Sequence, residues 1–235
     1  FSLAIDRTYI VNQVTQSGQV EAGGFVPAGV YDAEGATGDD FRTVGGDYYK
    51  PTDADYEANC EEARALLAEA GYENGEGFPV VEYLYNTSDA HKAVAEALQY
   101  MWEEELGVKV TLNNQEWAAF LQTRKDGDYS IARNGWIADY NDPISFLDMW
   151  MTGGGNNDAQ YSNEEYDSLI KEAKTTTDVK ERMELLHKAE DKIIGEDNAL
   201  APLYFYTQKY MLADGIEGMY YCPLGYFFFG YTHQA

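Results

Sequence analysis

VVEYLYNTSDAHKAVAEALQYMWEEELGVKVTLNNQEWAAFLQTRKDGDYSIARNGW, residues 80–136, decides the fold. Val80 to Asn86 is an apolar run of strand length. Ser88 is placed to cap a helix that carries Val94, Leu98, Met101 and Trp102 on one face and stops at Gly107. Val108 to Asn114 reads as a second strand, and a short helix follows from about Glu116 to Arg124. Asp126-Gly127 then turns the chain into a third strand, Tyr129 to Trp136. Strand, helix, strand, helix, strand with short links is the pattern of βαβ units, so the expected fold class is α/β with a mostly parallel sheet flanked by helices.

Working outward, residues 1–16 read as a helix, and 17–52 as a long excursion poor in periodicity, either functional or a packing arm. A helix capped by Thr52 or Asp53 runs to Ala70. Asp142-Pro143 opens another, with Asp142 as cap and Pro143 in the first turn. Ser162 with Glu165 and Asp178 with Glu181 form capping boxes for two more helices. Ala201 to Leu212 reads as a final long strand. The aromatic tail, Met219 to Tyr231, is too apolar to stay free and is expected to pack on something.

Composition excludes several function classes. The formal charge is −25, from 41 acids against 16 bases, which would repel nucleic acid. Cys60 and Cys222 read as two buried thiols, and no Cys/His cluster suggests a metal site or cofactor. No nucleophile elbow, phosphate-binding loop or dinucleotide fingerprint occurs. Acid pairs are too common here to single out a glycosidase pair. His187, among Lys and Glu, reads as a solvated residue, and His233 has no evident partner. An enzyme is therefore not expected. The chain opens inside a helical pattern without an initiator Met or signal peptide, which reads as a piece of something longer.

The candidates gather at strand ends. Arg133 shares a strand face with Tyr129, Ile131 and Gly135; a charge there needs a structural carboxylate or an opening onto a ligand anion. With the cap assigned to Asp142, Asp139 is either a turn residue or free for a ligand, with Trp136 and Tyr140 beside it. His91 lies in the first turn after the first strand and Asn86 at its exit, where solvation and turn chemistry explain them equally well. Trp117 taken alone reads as a core aromatic. All fall near the C-terminal ends of three consecutive strands, the side on which α/β sheets bind ligands. An acid, a cation, an imidazole, an amide and indoles together suit a zwitterionic ligand.

The stretch 85–147, with NQEW and ARNGWIADYNDP, resembles the bacterial oligopeptide-binding proteins of ABC importers. The likeness extends to FSLAIDRTYIV at the start and APLYFYTQKY near the end. It implies a two-lobed binding protein of the type II periplasmic class that closes on an extended peptide. Residues 1–213 would be its second large lobe, and 214–235 a tail returning to a first lobe not in this chain. By the same resemblance Asp139 takes the peptide ammonium, and Arg133 and Arg124 meet carboxylates with His91 beside them. Asn86, Trp117 and Trp136 line the cleft, with Tyr140 next to Asp139. Ile137 stands where related sequences have Cys, so a disulfide from that position is not expected. The implied partners are an oligopeptide and a membrane permease. The implied location is exported, periplasmic or lipid-anchored. A binder of a nickel complex, haem or sugar, or a receptor for peptide signals, remains open on the same fold.

Overall fold

Asp6 begins the first helix later than the periodicity suggests, because its carboxylate accepts from the Tyr9 amide at 2.7 Å and caps α1 (Arg7–Tyr9). The computed structural model describes residues 1–49, 53–222 and 225–235. A π-helical turn, Ile10–Thr15, continues α1 and ends at Gln16 in the left-handed region. Ahead of Asp6 the chain is not helical; Phe1 packs its ring on Phe78 and Trp102.

The excursion over 17–49 is a packing arm. It holds β1 (Val20–Glu21) and α2 (Phe41–Gly45), the latter capped by Asp40. Val26, Val30, Phe41 and Tyr49 are buried. Arg42 clamps Glu190 through two 2.9 Å hydrogen bonds. His187 is not the solvated residue expected: its ring stacks on Phe41 at 3.9 Å and Nε2 lies 2.8 Å from Asp32. The arm covers the helix face that its Lys and Glu neighbours made look exposed.

α3 (Asp53–Glu69) follows; of the two caps expected, Thr52 lies outside the described residues and Asp53 is the first residue of the helix itself. β2 (Val81–Asn86) leads to α4 (Asp89–Leu106), which Ser88 caps and Gly107 closes in a left-handed turn. β3 (Val110–Gln115) and α5 (Trp117–Asp126) come next, and β4 is reduced to Ile131–Ala132. The third strand expected over 129–136 is thus mostly irregular. One further ladder bond, Arg133 N to Leu84 O at 2.8 Å, is formed. Beyond it Asn134 turns its side chain onto the Gly135 amide, offering the backbone a local alternative to pairing.

The sheet is parallel with order β3-β2-β4. Val81 faces Val110 in register, and Tyr83 faces Ile131. The chain therefore steps from β2 to one side and then crosses to the other. Right-handed crossovers place α4 and α5 on opposite faces. Trp102, Leu98, Leu106 and Cys60 pack with Tyr83 and Tyr85 in one core.

A second core gathers the arm with α6 (Ile144–Leu147), α7 (Glu164–Thr175) and α8 (Val179–Glu190) around Trp150, Tyr166, Ile170 and Leu186. Asp142 does the capping expected of it, accepting from the Ile144 amide at 2.9 Å. For α7 the cap is Asn163, one residue past the expected Ser162; its carbonyl oxygen accepts from the Glu165 and Tyr166 amides. Such a cap is worth about 1 kcal/mol. Asp178 caps α8 as expected.

The long strand expected over 201–212 shrinks to β5 (Tyr204–Phe205), because only β1 offers it an antiparallel partner. The tail folds on itself as β6 (Ile216–Glu217) with β9 (His233–Gln234), and β7 (Tyr220–Cys222) with β8 (Tyr226–Phe228). Tyr220, Tyr226, Phe228, Phe229 and Tyr231 remain exposed, so the tail does not bury its aromatic surface as expected. Both cysteines are free; Cys60 is buried and Cys222 only half-buried. Among the described residues no helix is long and apolar enough to cross a membrane, and no cluster of His, Cys, Asp or Glu forms a metal site.

Candidate ligand-binding site

The strand order reverses at β2, so the C-terminal ends of β2 and β4 meet at the switch point, where open α/β sheets hold ligands in a crevice. Asn86 is the last residue of β2, 8% exposed, and its Oδ1 has no hydrogen-bond partner. A buried amide oxygen left unpaired is costly unless something else supplies a donor. His91 sits across from it in the first turn of α4. Burial first, and the Arg133 charge second, hold its imidazole below the ordinary range, and the backbone of Asn86 offsets part of this. Nδ1 is buried without a hydrogen bond of normal geometry, so burial and Arg133 carry the larger weight.

Arg133 follows β4 and is half-buried. Its sole side-chain bond among the described residues is a long one, Nη2 to the Tyr206 hydroxyl at 3.4 Å. No carboxylate pairs with it there. The structural-carboxylate explanation for this arginine is therefore not met. Tyr206 and Tyr204, in ring contact at 5.2 Å, complete this side of the crevice and were not among the expected residues. Their spacing of two on one strand was the available signal.

His91 and Arg133 provide a direct check. Because the folded imidazole titrates below its unfolded value, the unfolded chain binds the extra proton first. The contribution to stability is intact above about pH 6.5 and declines below it. Arg133→Gln removes one of the two depressing causes and is expected to raise the His91 midpoint in an NMR titration. An unmoved midpoint would show that the two side chains do not face each other.

A second group lies further along the same segment. Trp136 is held by its indole N–H, which donates to Ser145 O at 2.6 Å, and Ser145 Oγ accepts from the Asp139 amide at 2.9 Å. The loop 136–139 is thus pinned to the start of α6. The Asp139 carboxylate is exposed and has no ion pair among the described residues. Asp142, the other acid of the stretch, is fully engaged by Arg182 through two 2.9 Å bonds. Tyr140 is half-exposed, its phenol pushed up by burial and then by Asp148 and Asp142.

The remaining candidates divide. Trp117 is 52% exposed and stacks on Phe120, so it is not the core aromatic it suggests in isolation. Arg124 is not open: its Nε lies 2.8 Å from Asp158 Oδ2, and Nη1 donates to Asn134 Oδ1 at 2.9 Å. The structure thus brings Asn86, His91 and Arg133 together, places Trp136, Asp139 and Tyr140 on the adjoining loop, and ties Arg124 elsewhere. An apolar hollow bounded by Phe1, Leu67 and Leu106 shares no residue with this set.

The chain is similar to known proteins over most of its length. Over 228 residues the chain is 38% identical to the dipeptide-binding protein DppE of Bacillus subtilis, covering 96% of this chain and 40% of that one. It is 38% identical over 216 residues to the periplasmic oligopeptide-binding protein OppA of Salmonella typhimurium, covering 92% of this chain and 37% of that one. It superposes on Haemophilus influenzae OppA, solved in complex with RPPGFSPFR, with a TM-score of 0.74 at 32% identity, over 92% of this chain and 40% of that one. The chain thus spans about two-fifths of the length of these relatives. Residues 1–158 match the family described as bacterial extracellular solute-binding proteins, family 5 Middle. The chain, built on an α/β frame with a parallel sheet, belongs to the family 5 bacterial extracellular solute-binding proteins.

Proposed function

We propose that this chain is the ligand-contacting lobe of a binding protein that delivers oligopeptides to the permease of an ABC importer, and that it does no chemistry of its own. The observation that carries this is a pair of opposite charges on one segment, Asp139 and Arg133, neither with an ion-pair partner among the described residues. A peptide with free termini offers the ammonium and carboxylate that such a pair needs. Asn86 with its unpaired Oδ1, His91, Trp117, Trp136 and Tyr140 would line the cleft. The binding of peptides by the relatives supports the same reading.

Residues 1–213 would form the second large lobe, and 214–235 the tail that returns to a first lobe. Burial of Tyr220, Tyr226, Phe228 and Phe229 against that lobe would remove an apolar surface otherwise left in water. Closure between lobes would then exclude water from the charged termini. The protein would be exported, as a periplasmic protein or one tethered by a lipid at the outer face of the membrane.

Calorimetry on the full-length protein tests this. Peptides with free termini are expected to bind, and peptides acetylated and amidated at their ends to bind at least tenfold more weakly. Equal binding of both would sink the terminal-charge reading. Preference for haem, a nickel complex or a sugar over any peptide would replace it with another solute on the same fold.

A further inference from the structure

We propose that Asp158 is a specificity-determining residue: by holding Arg124 it withdraws that arginine from the ligand and leaves Arg133 as the carboxylate anchor. This rests on the peptide-binding reading above. Arg124 and Arg133 are neighbours in the fold, since Arg124 Nη1 donates to the Arg133 carbonyl at 3.3 Å as well as to Asn134 Oδ1. Their surroundings differ. The Arg124 side chain is 11% exposed, its guanidinium 5.0 Å over the Phe120 ring and its Nε 2.8 Å from Asp158 Oδ2. That contact is coulombic rather than an aligned hydrogen bond, because Nε has no acceptor in good geometry.

Asp158 is itself fixed. Its carbonyl accepts from the Tyr129 hydroxyl at 2.6 Å, and its amide donates to Asn156 O at 2.9 Å. Its side chain is 16% exposed. Drawing Arg124 away toward a ligand would strand a largely buried carboxylate without a counter-charge, which proteins avoid. Arg133 carries no such restraint.

The consequence concerns ligand length. An extended peptide gains about 3.3–3.6 Å per residue. With the ammonium held at one place, its carboxylate reaches a given cation only at a matching residue count. Two free arginines would admit two registers, and one free arginine admits one.

The test has two arms on the full-length protein. In the first, an arginine-selective dicarbonyl such as phenylglyoxal labels the ligand-free protein, and modified sites are mapped by mass spectrometry. Arg133 is expected to react at least tenfold faster than Arg124, and Asp158→Asn to close most of that gap. Equal reactivity in the parent protein overturns the proposal whatever the ligand is.

In the second arm, calorimetry compares peptides of two to five residues with free or amidated carboxyl ends. The parent is expected to favour the free carboxylate at least tenfold at one length. Arg133→Gln is expected to abolish that preference, and adding Asp158→Asn to restore part of it at a different length. A preference that survives Arg133→Gln with Asp158 intact overturns the proposal, because Arg124 would then be reaching the ligand. A parent protein with no preference at any length overturns the peptide reading and this specificity role with it, while the labelling still reports whether Arg124 is held.

Discussion

Replacing Glu190 by Gln is expected to cost about 3–5 kcal/mol of folding stability, the scale of breaking one partner of a buried ion pair. Glu190 is fully buried. Its two oxygens meet the two Arg42 nitrogens at 2.9 Å, and Oε1 also accepts from the Phe25 and Val26 amides at 2.8 Å each. An amide would keep one acceptor but turn an N–H₂ group toward the guanidinium and leave buried Arg42 only the half-exposed Asp47, 3.7 Å from its Nε, as countercharge. A paired replacement, Arg42→Met with Glu190→Met, separates the contributions. It removes both charges, a change that is often neutral in itself. The Phe25 and Val26 amides would still lose their acceptor, at about 1–3 kcal/mol each. The double variant, which loses about 2–6 kcal/mol over the two amides, should therefore stay destabilised on a scale similar to that of the single variant. Urea midpoints at constant denaturant slope measure this. A single-variant loss below about 1 kcal/mol would mean that the arm over 17–49 is not anchored by this cluster.

That anchor also marks where sequence reading stops. The βαβ segment over 81–132 was legible because local signals agree: helical period, Ser88 as cap, Gly107 and Gly127 as stops. Ser162 and Asn163 are adjacent cap-formers, and local chemistry alone does not choose between them. Strand length is not local either. Residues 129–136 and 201–212 have strand-like composition, but a ladder needs a neighbour, and only Ile131–Ala132 and Tyr204–Phe205 find one. The partners of the buried charges lie far away in sequence: Glu190 is 148 residues from Arg42, and His187 is 155 from Asp32. The candidate site was more legible than the packing. Chain order places Asn86, His91, Arg133 and Asp139 at strand exits without knowledge of tertiary contacts. The charge state of that site was not legible, because Asp158 sits far along the chain in a loop without periodicity, and its hold on Arg124 is purely tertiary.

Asp139→Asn in the full-length protein is expected to weaken peptide binding by about 2–5 kcal/mol, as for a desolvated charge pair that loses one member. The change is nearly isosteric. The Asp139 carboxylate has no ion pair within the chain among the described residues, so folding stability should change by less than about 0.5 kcal/mol, as for most surface positions. The loop's position should also persist, because Ser145 Oγ holds the backbone amide of residue 139 rather than its side chain. On the proposed function, what the substitution removes is the countercharge for an ammonium group. Coupling decides whether that group is the peptide's own. In a cycle over Asp139→Asn and N-acetylation of the ligand, either change alone should cost most of the effect, and the second should add little. If instead the two losses simply add, the acid and the amine do not meet. Asp139 would then act on the loop or on closure, and the ammonium would be met by another acid of this charge-rich chain or by the first lobe.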